Sequence, residues 1–310
     1  MGGKKLLLVD AYSQIYRGFY AIRALTNSKG EPSNAVFAMA KLLLKLEKEY
    51  GNCDGAFVFD KGKCTKRLAL SPAYKANRPP MPEELRSQIS SIRLLVESFG
   101  WKIVESEGSE ADDLMGAFAA KFSEREVFIL SSDKDVSQVI TRDGRVKMLV
   151  PSRDGKGLEE RGWEETIAKF GVPPERIVDY LSLIGDSSDN IPGVEGIGPK
   201  TSCQILSSGE PLAKLLEEPS LIAKDSWREK LTSSREILEK NRALITLDLT
   251  LPGELNDWKE EAFHKETPRK EAIRLLVSSF ELKSILAEVE KLADVSGEED
   301  SSPCQMEFSF

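Results

Sequence analysis

The 310-residue chain has one histidine, His264, and four cysteines, at 53, 64, 203 and 304, none of them in a C-x-x-C pair. A lone histidine outside every motif excludes Ser-His-Asp and Cys-His catalysis, and no G-x-S-x-G elbow is present. Zinc sites of the Cys/His type have no ligands, and no Walker A sequence is there to cradle a nucleotide. The cysteine spacing gives no disulfide framework, so a reducing cytoplasm is the simplest compartment. Long apolar runs are also missing. Leu6–Val9 is cut at once by Asp10, so the start reads as a first strand and not as a signal peptide, and no membrane segment is expected. Positive charge is in deficit, with 43 Lys+Arg against 51 Asp+Glu and a net charge of −8. That argues mildly against nucleic acid as a partner, unless the acids are gathered where bound cations reverse the local sign.

What is present begins with a hydrophobic content of 40%, enough for a real core, in a chain long enough for two modest domains or one large domain with an extension. Leu6–Val9, Ala56–Phe59 and Val127–Leu130 are short unbroken apolar runs, the pattern of strands buried on both faces of a parallel sheet. Each leads into an acid: Asp10, Asp60 and, after two serines, Asp133. The carboxyl ends of strands are where open α/β sheets bind ligands. A single Asp after a strand also serves as turn chemistry that caps the next helix; three together point to a site.

Gly108–Leu114 (GSEADDL) reads as a helix start with Ser109 as N-cap and Asp112 closing a capping box. Acids in a first turn suit the helix dipole whatever else they do, but Glu110, Asp112 and Asp113 are more than capping needs. SSDKD adds Asp135 to Asp133, and GDSSDN adds Asp186 and Asp189. The nine acids are Asp10, Asp60, Glu110, Asp112, Asp113, Asp133, Asp135, Asp186 and Asp189. Gathered in one cleft they would repel and raise one another's pKa unless divalent cations neutralised them, which predicts a two-metal nuclease site.

Two further segments carry charge and glycine. Lys66, Arg67, Tyr74, Lys75 and Arg78 form a basic, aromatic-bearing run into Pro79-Pro80-Met81-Pro82, readable as a solvated helix face and loop or as a nucleic-acid contact. Between helical patterns at 176–185 and 199–206 lies IPGVEGIGPKT, where Gly193, Gly196 and Gly198 would let backbone approach a phosphate near the N-terminus of the second helix. From Ser296 the composition becomes acidic and small, too polar to pack, and ends in QMEFSF.

LLLVDAYSQIYRGFYA, FVFDKGKCTKR, YKANRPPMPEELRSQI, GSEADDL, SSDKDVSQVI and LIGDSSDNIPGVEGIGPKT together resemble the 5′ nuclease domain of bacterial DNA polymerase I and, more distantly, phage and eukaryotic flap endonucleases, in order from about residue 4 to 290. The resemblance implies a PIN-like α/β core (residues 1–172) with a helical arch at about 64–95. A mostly helical part with a helix-hairpin-helix follows (173–290), and then an acidic tail (291–310). It implies two or more Mg²⁺ or Mn²⁺ ions, the first near Asp10, Asp60, Glu110, Asp112 and Asp113, the second near Asp133, Asp135, Asp186 and Asp189. In-line attack on a phosphodiester by metal-activated hydroxide would follow, with ions roughly 3.5–4 Å apart.

By the same resemblance Lys75 and Arg78 reach the scissile phosphate. Tyr16, Arg17, Tyr20, Arg67 and Tyr74 contact DNA, and Gly193, Gly196, Gly198, Lys200 and Thr201 grip duplex, with a potassium ion held by hairpin carbonyls. Tyr20 departs from the family, where histidine is usual, and Ala11 stands where glycine is common. The implied partners are DNA with 5′ flaps, nicks or gaps, RNA primers, and a sliding clamp bound by Gln305, Phe308 and Phe310. A cytoplasmic, nucleoid-associated monomer is expected, either free-standing or an excised domain. A non-catalytic scaffold for branched DNA and a PIN-type ribonuclease are the alternative readings.

Overall fold

The structure, a computed structural model, describes residues 5–22, 25–152 and 157–292. The tail with Gln305, Phe308 and Phe310 lies outside the described residues. Six strands form one sheet: β1 (Leu6–Asp10), β2 (Asp54–Val58), β3 (Lys102–Val104), β4 (Val127–Leu130), β5 (Val146–Pro151) and β6 (Leu158–Arg161), in the order β3-β2-β1-β4-β5-β6. The first five are parallel and β6 is an antiparallel edge.

The apolar runs do what both-face burial requires. Leu7 and Val9 of β1 point into one core with Phe57 and Phe128, and Leu6 and Leu8 into the other with Ala56, Val58 and Ile129. The first core is covered by α1 (Ala11–Ala21), α2 (Asn34–Tyr50) and α5 (Ile89–Ser98), the second by α6 (Ala111–Lys121). Between β2 and α5 the chain forms two short helices, α3 (Thr65–Leu70) and α4 (Glu83–Arg86), joined by turns through 72–77. The segment expected to be a helical arch is therefore broken, because prolines at 72, 79, 80 and 82 cannot continue a helix interior.

After β6 come α7 (Trp163–Phe170), α8 (Ile177–Ile184), α9 (Pro199–Leu206), α10 (Leu212–Glu217), α11 (Asp225–Ser233) and α12 (Arg235–Ile245). A third core lies among the last five, built on Ile177, Leu181, Ile205, Leu215, Leu231 and Leu238, and Tyr74 from the 72–77 turns belongs to it. Beyond them α13 (Gly253–Asn256), α14 (Lys270–Ser279) and α15 (Lys283–Val289) leave the helical part. Leu255 and Phe263 enter the second sheet core, and Ile273, Val277, Ile285 and Val289 pack on the first. The stretch from about 251 to 289, within the expected helical region, packs on the α/β part.

β1 runs on to β2 on one side, while β4 leads to β5 on the other, so the crevice between the carboxyl ends of β1 and β4 is the topological switch point. Asp10 ends β1, Asp60 lies two residues past β2 and Asp133 three past β4.

Candidate active site: a carboxylate cleft

At that switch point is a cleft of about 840 Å³ lined by Asp10, Asp60, Asp112, Asp133 and Asp186, with Tyr12, Tyr16, Lys75, Arg78, Lys134, Lys169 and Phe170 on its walls. Asp10 is held in place by its own cap: Ser13 N–H donates to Oδ1 at 3.0 Å and the Ser131 hydroxyl to Oδ2 at 2.8 Å. Asp60 Oδ1 accepts the N–H of Ala111 at 2.7 Å. Asp60 therefore starts α6 from another strand, and the expected Ser109/Asp112 capping box does not form. Glu110 takes the N-cap position with no side-chain cap bond, which leaves its carboxylate for other partners.

Ion pairs divide the nine acids. Arg67, expected to touch DNA, is buried at 5% exposure and makes a two-pronged pair with Asp113 at 2.6 and 2.8 Å, with Nη1 also 2.8 Å from Glu110. Its Nε and Nη2 bind the carbonyls of Leu244 and Thr246. Asp113 also accepts from Asp248 N–H at 2.9 Å, so this acid, expected among the metal ligands, is instead committed to protein groups. Lys75 Nζ lies 2.7 Å from Glu110 Oε1 and 3.8 Å from Asp189, and Arg78 Nη2 pairs with Asp189 at 2.5 Å. Lys134 Nζ is 3.0 Å from Asp186. The other five, Asp10, Asp60, Asp112, Asp133 and Asp135, have no ion-pair partner among the described residues.

The same five are the ones whose affinity for protons rises. Burial pushes Asp10 up to about 7, with Asp60 and Asp133 adding and the Ser13 and Ser131 hydrogen bonds opposing. Burial, then the charges of Asp133, Asp189 and Asp186, push Asp135 up to about 8. Asp112 is raised well above the usual carboxylate range by burial and by Asp133, Asp10 and Asp60. Asp60 and Asp133 are raised too, again mainly by burial. Asp186 goes the other way: burial pushes it up, but the Ser188 hydroxyl and Lys134 outweigh burial and hold it low. Asp112 Oδ1 and Asp135 Oδ1 are buried with no hydrogen-bond partner.

The loop bearing Lys75 is docked on the 186–190 turn. Lys75 N–H donates to Asp189 O at 3.0 Å, Asn190 Nδ2 to Ala73 O at 2.7 Å and Asn77 Nδ2 to Ser187 O at 2.6 Å. Lys75 and Asn190 both have positive φ, at 55° and 59°. Such left-handed non-glycine residues cost of order 1–3 kcal/mol and persist where surroundings fix them. Tyr74, expected to stack on a base, is buried at 7%, its hydroxyl between Glu110 (3.1 Å) and Asp189 (3.2 Å). On α1, Tyr12, Tyr16 and Tyr20 follow at helical spacing with ring centroids 6.3 and 6.4 Å apart. Tyr20 is 59% exposed, and Arg17 is exposed on the same helix.

In the hairpin, Gly193 is required for packing: a Cβ there would lie 2.4 Å from Ile184 O, and one on Gly185 2.4 Å from Gly193 N. Of the three hairpin glycines only Gly198 faces open space, next to exposed Lys200 and half-buried Thr201 in the first turn of α9. Gly196 sits at φ +73 beneath Lys230, whose Nζ donates to Glu195 O at 2.8 Å. One hairpin carbonyl, where the resemblance implies a potassium ion, thus already has a cation. Lys134, Lys169 and Lys230 were not singled out in the sequence; Lys134 alone had a signal, its place between Asp133 and Asp135.

Residues 5–171 match the family described as 5′-3′ exonuclease, N-terminal resolvase-like domain, and residues 172–266 match 5′-3′ exonuclease, C-terminal SAM fold. The chain belongs to the 5′-3′ exonuclease family. A 5′-3′ exonuclease of Aquifex aeolicus is 35% identical over 291 residues, 93% of this chain and 96% of that protein. The thermostable DNA polymerase I of Thermus filiformis is 39% identical over 288 residues, 92% of this chain. This chain spans only 33% of that polymerase, about a third of its length. Among solved structures, the phage T5 5′-exonuclease with zinc bound shares the fold at TM-score 0.63 and 22% identity, covering 92% of this chain and 100% of that one. The catalytic core of Rad2 in complex with DNA substrate does so at TM-score 0.61 and 16% identity, covering 94% and 92%. No helix among the described residues is long and apolar enough to cross a membrane.

Proposed function

We propose that this exonuclease-family chain is a divalent-metal-dependent, structure-specific 5′ nuclease acting on flapped, nicked or gapped DNA and on primer RNA paired to DNA. The observation that carries the reading is that Asp10, Asp60, Asp112, Asp133 and Asp135 are gathered at one cleft with no cation in ion-pair range among the described residues, and the rise in their proton affinity follows from that geometry. Groups held ionised only at a cost, with buried oxygens aimed at nothing, fit a hard dication that takes oxygen donors. Mg²⁺ is the ion proposed, since it takes oxygen ligands, uses few direct carboxylates and keeps several of its waters.

Bound there, such ions supply an activated water and neutralise charge on the phosphodiester. The chain's own residues position the strand. Lys75 and Arg78 present cations at the cleft edge, and an entering phosphate competes with Glu110 and Asp189 for them. Tyr16 and Tyr20 offer ring faces for unpaired bases, whose stacking is sequence-tolerant. Exposed Lys200 with Thr201 and Gly198 suits a duplex phosphate beside the start of α9. The relatives support the metal and the DNA by what their structures hold, zinc in one and DNA substrate in the other.

The test is cleavage of a 5′-flapped duplex, the same flap in RNA, and single strands, each with Mg²⁺ and with EDTA. Flap cutting that needs Mg²⁺ supports the reading. Flap binding without cleavage would favour a scaffold, and preference for single-stranded RNA a ribonuclease.

A further inference from the structure

The cations on the cleft wall have acids beside them, with one exception. Lys75 is paired with Glu110 and Asp189, Arg78 with Asp189, and Lys134 with Asp186. Lys169, in the last turn of α7, lines the same cleft and has no carboxylate in ion-pair range among the described residues. The charges that act on it are Arg161 and Lys134, both positive, and with burial they lower its proton affinity. Arg161, at the end of β6, is half-buried, and its Nη1 is shielded from solvent with no hydrogen-bond acceptor. A lysine in a final turn complements a helix dipole whatever its function. The dipole does not explain a second cation gathered behind it with a donor unanswered. Phe170 lies alongside, with the Lys169 ammonium 4.9 Å from its ring centroid, and it too lines the cleft.

We infer that Lys169, backed by Arg161, forms a phosphate subsite on the β6 side of the cleft, which takes a backbone phosphate of the nucleic-acid strand whose scissile bond lies over the acids. Lys75 and Arg78 line the same cleft, on the loop docked against the 186–190 turn. A strand lying over the carboxylates therefore meets more than one cation of this cleft, and a second anchored phosphate fixes its register. A polyanion is the complementary ligand because Lys169 has no carboxylate in ion-pair range among the described residues, and Arg161, although the Glu159 carboxylate acts on it, keeps an Nη1 donor without an acceptor. Phe170 gives the adjacent base or sugar an apolar surface.

The inference rests on the nuclease reading, so its test is a binding measurement made in EDTA. The salt dependence of flap binding is compared for the wild type, Lys169→Gln and the Lys169→Gln/Arg161→Gln pair; the single variant keeps the test valid if loss of the half-buried arginine perturbs folding. The expected result is a log–log salt slope shallower by ~0.7–0.9 per lost contact. A scan with one neutral methylphosphonate at a time should find a position that weakens the wild type and leaves Lys169→Gln unaffected. Equal slopes, with no position losing its effect, would overturn the subsite even if the wild type cuts flaps. A wild type that binds but never cuts would sink the nuclease reading, while the slopes still decide the subsite.

Discussion

Arg67 and Asp113 meet through two hydrogen bonds, at 2.6 and 2.8 Å, with both side chains below 10% exposed. The pair joins α3 to α6 and, through the Leu244 and Thr246 carbonyls, ties both to the end of α12. Removing one partner of a buried pair costs about 3–5 kcal/mol when the other charge is left alone; here Arg67 keeps Glu110 at 2.8 Å, so the loss lies toward the lower end. Asp113→Asn should therefore lower the urea midpoint sharply. Its Mg²⁺ affinity, measured on the protein that remains folded, should stay near wild type. A stable variant with poor metal affinity would return Asp113 to the ligand set.

Asp60→Asn and Asp133→Asn keep size while removing charge from acids that have no protein cation. Both should slow single-turnover cleavage severely, by roughly two orders of magnitude or more, with flap binding in EDTA retained. The Asp60 variant should still fold, because an amide oxygen can accept the Ala111 N–H that starts α6. Near-normal turnover of both at saturating Mg²⁺ would remove them from the chemistry.

The metal-free protein should lose stability as pH rises. Asp10 and Asp135 have folded-state values of about 7 and about 8 against 3.8 for the free side chain. Between those limits the folded state binds more protons than the unfolded chain, so this contribution is fully present below about pH 4 and is lost progressively up to about pH 8. Thermal melts in EDTA should show Tm falling across that window, by roughly 2–4 °C for each kcal/mol lost. Mg²⁺ should restore Tm most at the alkaline end, since its binding displaces those protons. A Tm in EDTA that rises from pH 5 to 8 would contradict the assignment.

Lys75 and Lys200 should fail differently. Lys75→Ala should chiefly reduce the single-turnover rate, whereas Lys200→Ala should weaken duplex binding equally across sequences and reduce the salt slope by ~0.9. Stopped-flow cleavage at saturating enzyme and salt titrations separate the two. An unchanged rate in Lys75→Ala would show that its place on the cleft edge has no part in catalysis.

The sheet was legible because both-face burial leaves unbroken apolar runs, and Leu6–Val9 and Val127–Leu130 became strands nearly as read. The site was legible as a collection of acids but not in its wiring. That Asp60 and not Ser109 starts α6, or that Arg67 lies 46 positions from its partner Asp113, depends on how distant segments dock. A sequence pattern carries no such record. Tyr74 and Arg67 look like solvent-facing groups in a polar run, and their burial follows from the third core and the acids behind it. The return of α14 and α15 to the first core was missed for a similar reason: Ile273, Val277 and Ile285 mark apolar helix faces without saying which surface they cover.

Divalent cations should bind where the protein leaves acids unpaired. Calorimetric titration of Mg²⁺ into the wild type, Asp112→Asn and Asp113→Asn at one pH tests it most directly, since these neighbours on α6 differ in whether a protein cation already serves them. Affinity should be at least about tenfold weaker for Asp112→Asn and near wild type for Asp113→Asn. The reverse order, or equal loss in both, would contradict it.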